Sequence, residues 1–320
     1  MPIIGFHASH EQVHPAELLE DVKHAEQAGF TAAMCSDHFA PWSERQGHSG
    51  FAWSWLGAAL ATTTLPFGVV TAPGQRYHPA ITAQAAATLA AMFPGRFWMA
   101  LGSGEAVNEH ITGDGWPRKE LRDARLRECA QIIRDLLAGD EVSSDGLVTV
   151  DRARIWTLPD EPPAQLGAAV SVETAAAVAE WADGLITVDQ PTEQLRQMIE
   201  VYHEAGGRGR CCVQVHLSWD EDEARAVQIA HDQWRSNVFP SVLAWNLETP
   251  AQFDAASQNV APEDMRPHLL MSSDPAVYIK RISELIDLGF DEIYLHHVGQ
   301  QQRAFIDFFG EHVLPVVTAS

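Results

Sequence analysis

Lysine is scarce in this chain of 320 residues and occurs only at Lys23, Lys119 and Lys280. Arginine supplies the rest of the 21 basic side chains, which are opposed by 43 acidic ones, so the formal net charge is −22. Because nucleic acids and anionic membranes are recognised through basic surfaces, this charge predicts that neither is a partner. An anionic ligand would depend on arginines, backbone N–H groups or helix N-termini.

Cysteine is also rare. The four cysteines, Cys35, Cys129, Cys211 and Cys212, form no Cys-x-x-Cys motif, which favours a reducing, cytoplasmic setting. Long apolar runs are missing as well: none approaches the roughly 18 residues of a membrane-spanning helix, and the first residues lack the charged and apolar regions of a signal peptide.

Short apolar runs alternate along the chain with segments of helical period. The runs are nearly continuous in apolar residues, as expected of parallel strands buried on both faces. Eight such strand–helix units predict an α/β fold, a (β/α)8 TIM barrel, which needs roughly 250 residues. A doubly wound sheet is the alternative, but no G-x-G-x-x-G motif follows the first strand. The predicted strands cover residues 2–6, 31–35, 67–71, 97–101, 165–170, 185–188, 211–217 and 292–296.

The surplus length falls in two insertions, near residues 140–160 and 240–274, of a single predicted domain that spans residues 1–320. In the first insertion, the alternation of apolar and polar residues predicts a hairpin over residues 146–158. The second precedes a predicted helix over residues 274–288. No repeat of fixed period and no low-complexity linker divides the chain.

The catalytic residues of a (β/α)8 barrel lie at the C-terminal ends of its strands. After the second strand, Asp37, His38 and Trp42 bring a carboxylate, an imidazole and a large aromatic face together. A histidine beside a carboxylate can exchange protons near neutral pH, although His38 could also simply cap the strand. After the fourth strand, the turn Gly102-Ser103-Gly104 lets a ligand approach the backbone, and Glu105 follows it. On its own, such a glycine motif is often a structural turn without a bound ligand.

Fifteen histidines also raise the alternative of a metal site. His7 and His10 follow the first strand, and His296 and His297 follow the eighth. Neighbouring strand residues point to opposite faces, so at most one of the last two faces the barrel interior. We therefore predict no metal ligand, and a metal-dependent barrel hydrolase stays the alternative function.

These loops carry a resemblance to the bacterial luciferase-like oxidoreductases, and within them to the group of deazaflavin-dependent glucose-6-phosphate dehydrogenases. The likeness runs over nearly the whole chain and is strongest in residues 1–140. The combination of motifs is far more specific than any one of them. It comprises Ser36-Asp37-His38-Phe39-x-Pro41-Trp42, Gly47-His48, Ser54-Trp55, Arg76-Tyr77-His78-Pro79-Ala80, Gly102-x-Gly104-Glu105-Ala106-x-Asn108-Glu109 and Gln302-Arg303-x-Phe305.

The resemblance implies a barrel that holds FMN or the 5-deazaflavin coenzyme F420 at the C-terminal strand ends. It implies that His38 and Trp42 flank the reacting substrate carbon and that Glu105 is a proton-transfer partner. The positions that would bind the cofactor are Asp37, Val70, Thr71, Gly102, Ser103 and Asn108 around the ring, and Ala168, Ala169 and Thr187 near its tail.

The chain departs from the dehydrogenases where those enzymes bind their substrate phosphate. No lysine occurs between Lys119 and Lys280, and His268 stands where an arginine is expected. A phosphate dianion needs charge-assisted donors, so we predict a small, non-phosphorylated substrate. The departures favour a branch that uses FMN rather than F420.

The predicted function is thus a flavin-dependent oxidoreductase of the luciferase-like family. With FMN the reaction would be a monooxygenation, and with F420 a hydride transfer as in a dehydrogenase. Loss of the phosphate-binding lysines keeps a second alternative open, a flavin-binding barrel without turnover. Relatives of this kind are often dimers, so we expect a homodimer.

Overall fold

Eleven strands define the architecture of residues 2–319, which the structure, a computed structural model, describes. Eight of them form the barrel, two form a separate hairpin and one extends the sheet. In chain order they are β1 (Ile3–Ala8), β2 (Ala32–Ser36), β3 (Phe67–Thr71), β4 (Phe97–Leu101), β5 (Val142–Asp145), β6 (Thr149–Ala153), β7 (Gln165–Ala168), β8 (Gly184–Val188), β9 (Arg210–Trp219), β10 (Leu270–Ser272) and β11 (Glu292–His297).

The barrel is closed by parallel pairing alone. The strands follow the order β9-β11-β1-β2-β3-β4-β7-β8, and β8 pairs again with β9. In that closing pair Gly184 faces Arg210 and Val188 faces Gln214. This is the predicted (β/α)8 barrel, and each of the eight predicted strands is a barrel strand.

Helices surround the barrel and connect its strands. Two of them begin in the same way, because His14 and His78 each cap a helix whose first residue is proline. The helices are α1 (Pro15–Ala28), α2 (Ala52–Thr62), α3 (Pro79–Met92), α4 (Ala106–Glu109), α5 (Lys119–Leu137), α6 (Val172–Val178), α7 (Thr192–Glu204), α8 (Glu223–Trp234), α9 (Ser241–Ala244), α10 (Pro250–Ala256), α11 (Pro275–Asp287), α12 (Gln302–His312) and α13 (Leu314–Val317). None of the helices within residues 2–319 has the length and apolar character that a membrane span requires.

Large aromatic side chains fill the lower half of the barrel interior. A Cβ on Gly68 would lie 2.0 Å from Trp98 Cζ2, and one on Gly5 would lie 2.3 Å from Tyr294 Cδ1. Glycine at these two strand positions therefore makes room for the two rings. The two rings also pack against each other, with centroids 5.8 Å apart, so this half of the barrel is occupied by side chains.

The two insertions differ in detail from the sequence-based expectation. The first is a hairpin, but its strands are β5 and β6, so it begins before residue 146 and its second strand ends at Ala153. The second insertion is part of a longer excursion over residues 220–269, which contains α8, α9 and α10 and returns through β10. β10 pairs in parallel with the last three residues of β9, outside the closed barrel.

Candidate active site

A cleft of about 610 Å³ opens at the C-terminal end of the barrel. Strand ends, the loop after β1 and the excursion over residues 220–269 all contribute to its walls. All twelve predicted site residues line this cleft: Asp37, His38, Trp42, Val70, Thr71, Gly102, Ser103, Glu105, Asn108, Ala168, Ala169 and Thr187. The structure thus brings them together, while their roles stay predictions.

His38 lies between two carboxylates. Its Nδ1 is 2.6 Å from Oε1 of Glu11, and its Nε2 is 3.7 Å from Oε2 of Glu105. Burial lowers the pKa of His38, but the negative charge of Glu11 and the short contact with it outweigh burial, so the pKa is raised. The pKa of Glu11 is lowered: burial alone would raise it, and the charge of His38 overcomes that effect. The result is a buried ion pair whose imidazolium presents its other nitrogen to the cleft.

Glu105 stands on the opposite side of His38 from Glu11. Burial raises the pKa of Glu105 more than the charge of His38 lowers it, and Glu109 adds to the rise. Asn108 donates from Nδ2 to Glu105 Oε2 (3.2 Å) and accepts from the backbone N–H groups of Phe39 and Ala40. The amide of Asn108 therefore fixes Glu105 against the loop that carries His38.

The Asp37 carboxylate is directed into the protein. It accepts hydrogen bonds from Trp53 Nε1 (3.1 Å), Thr71 Oγ1 (2.9 Å) and the Tyr77 hydroxyl (3.1 Å). These donors hold the end of β2 against β3 and the start of α2. Any contact of Asp37 with a cofactor would have to share these bonded oxygens.

Arg76 joins two of the buried carboxylates. Its Nη2 lies 3.6 Å from Asp37 Oδ2 and donates to the Asp37 carbonyl at 2.6 Å. Its Nε lies 3.5 Å from Glu109 Oε1, and its backbone N–H donates to the same carboxylate at 2.7 Å. Only 6% of the Arg76 side chain is exposed. Its charge is thus balanced inside the wall of the cleft.

Trp42 forms an aromatic wall beside His38. The two rings meet edge to face with centroids 5.2 Å apart, and Phe253 of the excursion packs edge to face on the other side of Trp42, also at 5.2 Å. The loop of Trp42 is held to the excursion by Asp254, which accepts from the Ser43 hydroxyl and pairs with Arg45. The position of Trp42 therefore depends on both segments.

The floor of the cleft is built from uncharged side chains that carry polar nitrogen or oxygen atoms. His216 and His296 line it together with Gln214 and Trp234. Burial lowers the pKa of His216 to about 4 and that of His296 well below its ordinary value. As expected from strand alternation, only His296 of the His296-His297 pair lines the cleft, and His297 stacks on Phe305 outside the barrel.

Metal ligands are not grouped in the described part of the chain. Within residues 2–319, no three His, Cys, Asp or Glu side chains come together in a group that could hold a metal ion.

Known proteins are similar to this chain over nearly its whole length. The family of luciferase-like monooxygenases matches residues 3–292. The chain belongs to this family. It is 33% identical over 329 residues to the F420-dependent glucose-6-phosphate dehydrogenase of Nakamurella multipartita, a match that covers 98% of this chain and 96% of that protein. The corresponding dehydrogenase of Beutenbergia cavernae is 34% identical over 331 residues, with 99% and 97% covered.

Two solved enzyme structures have the same barrel. An F420-dependent secondary alcohol dehydrogenase in complex with an F420-acetone adduct superposes with a TM-score of 0.91 at 30% identity, and the match covers 99% of both chains. The monooxygenase RslO1 from Streptomyces bottropensis shares the fold at 21% identity and a TM-score of 0.72, with 98% and 99% covered. The predicted family, the fold and the assignment as an oxidoreductase are confirmed.

Several residues of the cleft were not predicted. Glu11, Arg76, Glu109 and His216 line it and fix the charge or the polarity of its parts. Arg76 and Glu109 stand inside the family motifs, which was the one signal available. Glu11 stands in a polar loop, and only the closed barrel brings it to His38.

Proposed function

We propose that the protein is an F420-dependent dehydrogenase that interconverts a small, non-phosphorylated secondary alcohol and its ketone. The observation that carries this proposal is the position of His38. Its Nδ1 is paired with the Glu11 carboxylate, and its Nε2 is directed at Glu105 and the cleft. The names of the relatives support F420 in place of FMN, the cofactor that the sequence alone favours.

The upper wall of the cleft fits a flat ring system. A Cβ on Gly102 would find no atom nearer than Ala168 Cβ at 3.7 Å, so the side of this glycine is open to the cleft. Small and apolar side chains continue this wall, namely Val70, Ala72 and Ala169. We infer that the ring of the cofactor lies here, with its tail near Thr187. When bound, the cofactor supplies hydride chemistry at the substrate carbon that carries the oxygen.

The charges along the cleft favour an uncharged substrate. Arg76 is paired with Asp37 and Glu109, and Lys119 lies 2.5 Å from Asp123. Burial lowers the pKa of His268, which therefore adds little positive charge at the mouth. With these cations paired or neutral, a phosphate dianion would find few charge-assisted donors.

The proton chemistry belongs to His38. The raised pKa of His38 favours the ring that carries two protons, which can donate one from Nε2 to the oxygen of a ketone as the alcohol forms. In the direction of alcohol oxidation, the neutral ring takes the hydroxyl proton. Glu105, with its raised pKa, is a neighbour that can hold a proton. Trp42 packs edge to face against the His38 ring.

The experiment combines cofactor identification with a half reaction. Purified protein is mixed in turn with oxidised F420 and with FMN, and binding is followed by absorption and by the mass of the retained molecule. We expect F420 to bind and to lose its visible absorption under anaerobic conditions when propan-2-ol is added. His38→Gln should bind F420 equally well and reduce it far more slowly.

Binding of FMN instead, with oxygen consumed on addition of reduced FMN, would contradict the dehydrogenase and favour a monooxygenase. Retention of F420 without reduction by any secondary alcohol would favour a barrel that binds the cofactor without turnover. Equal rates for His38→Gln and the wild type would remove His38 from the proton chemistry.

A further inference from the structure

A chain of hydrogen bonds runs beneath the cleft from a backbone carbonyl to His216. Gln12 contacts the carbonyl oxygen of Val298 through Nε2, and its Oε1 lies 2.8 Å from His296 Nε2. Nδ1 of His296 lies 3.1 Å from Gln214 Nε2, and the same amide nitrogen lies 3.2 Å from Nε2 of His216. The chain thus has two amides and two imidazoles in alternation.

The carbonyl end of this chain determines where every proton lies. A carbonyl oxygen only accepts, so Gln12 must direct its NH2 group at Val298 and its oxygen at His296. Nε2 of His296 is therefore the donor, and Nδ1 of the same neutral ring is an acceptor. Gln214 must then direct its NH2 group, which has two N–H bonds, at both histidines.

The last member of the chain is His216. Its Nε2 accepts from Gln214, so the proton of the neutral ring is on Nδ1. Within residues 2–319 this Nδ1 has no hydrogen-bond partner. It is also absent from the fully buried side-chain atoms that lack a partner, so it is accessible to a ligand in the cleft. Trp234 packs against the ring with centroids 4.7 Å apart and an interplanar angle of 34°, which fixes its plane. The result is an oriented N–H donor at the floor of the cleft.

We propose that His216 determines substrate specificity by donating a hydrogen bond from Nδ1 to a second, uncharged oxygen of the substrate. This inference rests on the proposed function, because it takes the reacting oxygen to be bound at His38. The chemical class it selects is a secondary alcohol or ketone that carries a further ether or carbonyl oxygen. An acceptor of this kind suits a ring that burial keeps neutral, since no ion pair has to be desolvated.

The position of the protons can be measured without any ligand. Long-range ¹H–¹⁵N correlation spectra of protein labelled with ¹⁵N-histidine distinguish the two neutral tautomers, and His216→Asn assigns the signals. We expect the Nδ1–H form for His216 and the Nε2–H form for His296. Gln214→Glu offers only acceptors and should convert His216 to a ring that carries a proton on Nε2.

The matched control is Gln228→Glu, which makes the same change of charge on the exposed face of α8 and should leave both tautomers unchanged. If Gln214→Glu does not fold, the wild-type spectrum still decides the question. An Nε2–H tautomer for His216 in the wild type overturns the proposal.

The role of His216 in specificity is tested with two alcohols, 1-methoxypropan-2-ol and pentan-2-ol. They have the same shape, but the first has an ether oxygen where the second has a CH2 group. Their dissociation constants are measured by ligand-observed NMR on the cofactor-loaded protein and compared as a ratio, which cancels the general change of polarity. Loss of one neutral hydrogen bond in His216→Phe should move the ratio by about fivefold against the ether. His216→Asn, whose amide can replace the Nδ1 donor, should restore most of the preference.

Each outcome separates the two proposals. An unchanged ratio in His216→Phe, or a loss of cofactor affinity in place of the ratio, overturns the role of His216 in substrate recognition. If the ratio changes as expected but neither alcohol reduces the cofactor in the wild type, the role of His216 stands and the dehydrogenase activity fails.

Discussion

His38 and Arg76 represent two uses of a buried cation in one cleft. His38 is paired with Glu11 through one nitrogen and directs the other at the reacting groups. Arg76 has both ends of its guanidinium engaged by Asp37 and Glu109, so it balances charge without presenting any to a ligand. The first arrangement leaves a proton to exchange, and the second holds the wall in place.

The pair of Glu11 and His38 predicts a defined dependence on pH. Glu11→Gln removes the charge that raises the pKa of His38, so this pKa should fall in the variant. The doubly protonated ring that ketone reduction needs should therefore be lost at a lower pH than in the wild type. NMR titration of the His38 ring measures the change directly. Glu193→Gln, which alters an exposed pair with Arg196, should leave the titration of His38 unchanged.

The same pair contributes to stability in a limited range of pH. Since the pKa of His38 is raised in the folded state, its contribution is complete below the unfolded value of about 6.5 and is lost as the pH rises through the folded pKa. The difference in unfolding free energy between wild type and Glu11→Gln should therefore be larger near pH 6 than near pH 9. A difference that grows with pH would contradict the ion pair.

Removal of Arg76 should be costly for the fold. Arg76→Met leaves the buried carboxylates of Asp37 and Glu109 without their cation, and breaking a buried pair in this way costs about 3–5 kcal/mol. Urea denaturation measures the loss. Arg196→Met, at an exposed pair, should change stability by less than about 1 kcal/mol. Similar losses for the two variants would show that Arg76 is not needed to balance the wall.

At the level of whole elements, the sequence predicted the barrel well because each of its strands is a local apolar run. It predicted the first hairpin with shifted ends, since the alternation of Val148 and Val150 does not reveal which residues turn. It predicted no strand at Leu270–Ser272, because three residues are too few to show the alternation or apolar run that indicates a strand. This strand is defined by its pairing with β9.

The candidate site shows the same division. His38, Trp42 and Glu105 were predicted because they stand directly after strands and within family motifs. Glu11 and His216 were not, although both lie on the β1 and β9 side of the barrel close to the predicted residues. Their importance comes from contacts across the barrel, such as Glu11 to His38, which no local spacing encodes.

Two glycines test how tightly the elements pack. A Cβ on Gly68 in β3 would overlap Trp98 at 2.0 Å, so Gly68→Ala should destabilise the protein by about 1–3 kcal/mol. Gly57 lies within α2, where the nearest atom to a Cβ is Leu89 Cδ2 at 4.0 Å. Gly57→Ala should stabilise the helix by about 0.5–1 kcal/mol. Thermal unfolding of the two variants should therefore give shifts of opposite sign.

For the molecule as a whole, the net charge of −22 is a source of self-repulsion. Salt screens this repulsion, because the Debye length falls from roughly 20 Å at about 0.02 M to roughly 4 Å at about 0.5 M ionic strength. We expect the Tm near pH 8 to rise over this range of sodium chloride concentration. The rise should vanish close to the sequence pI of about 4.9. A Tm that falls with salt near pH 8 would mean that attractive pairs dominate the surface.

The short strand β10 gives the excursion over residues 220–269 an unusual property. The excursion leaves the barrel at the end of β9 and returns on β10, whose Leu270 is held beside Leu217 of β9 by the strand pairing, so the separation of its two ends is fixed whatever the length between them. Lengthening such a closed segment costs little, because the closure entropy grows only with the logarithm of its length. Phe239, Trp245 and His268 of this segment line the cleft. The excursion can therefore change in length, and with it the wall of the cleft, without any change in the barrel strands, provided that the contacts of Trp234 with His216 and of Phe253 with Trp42 are kept.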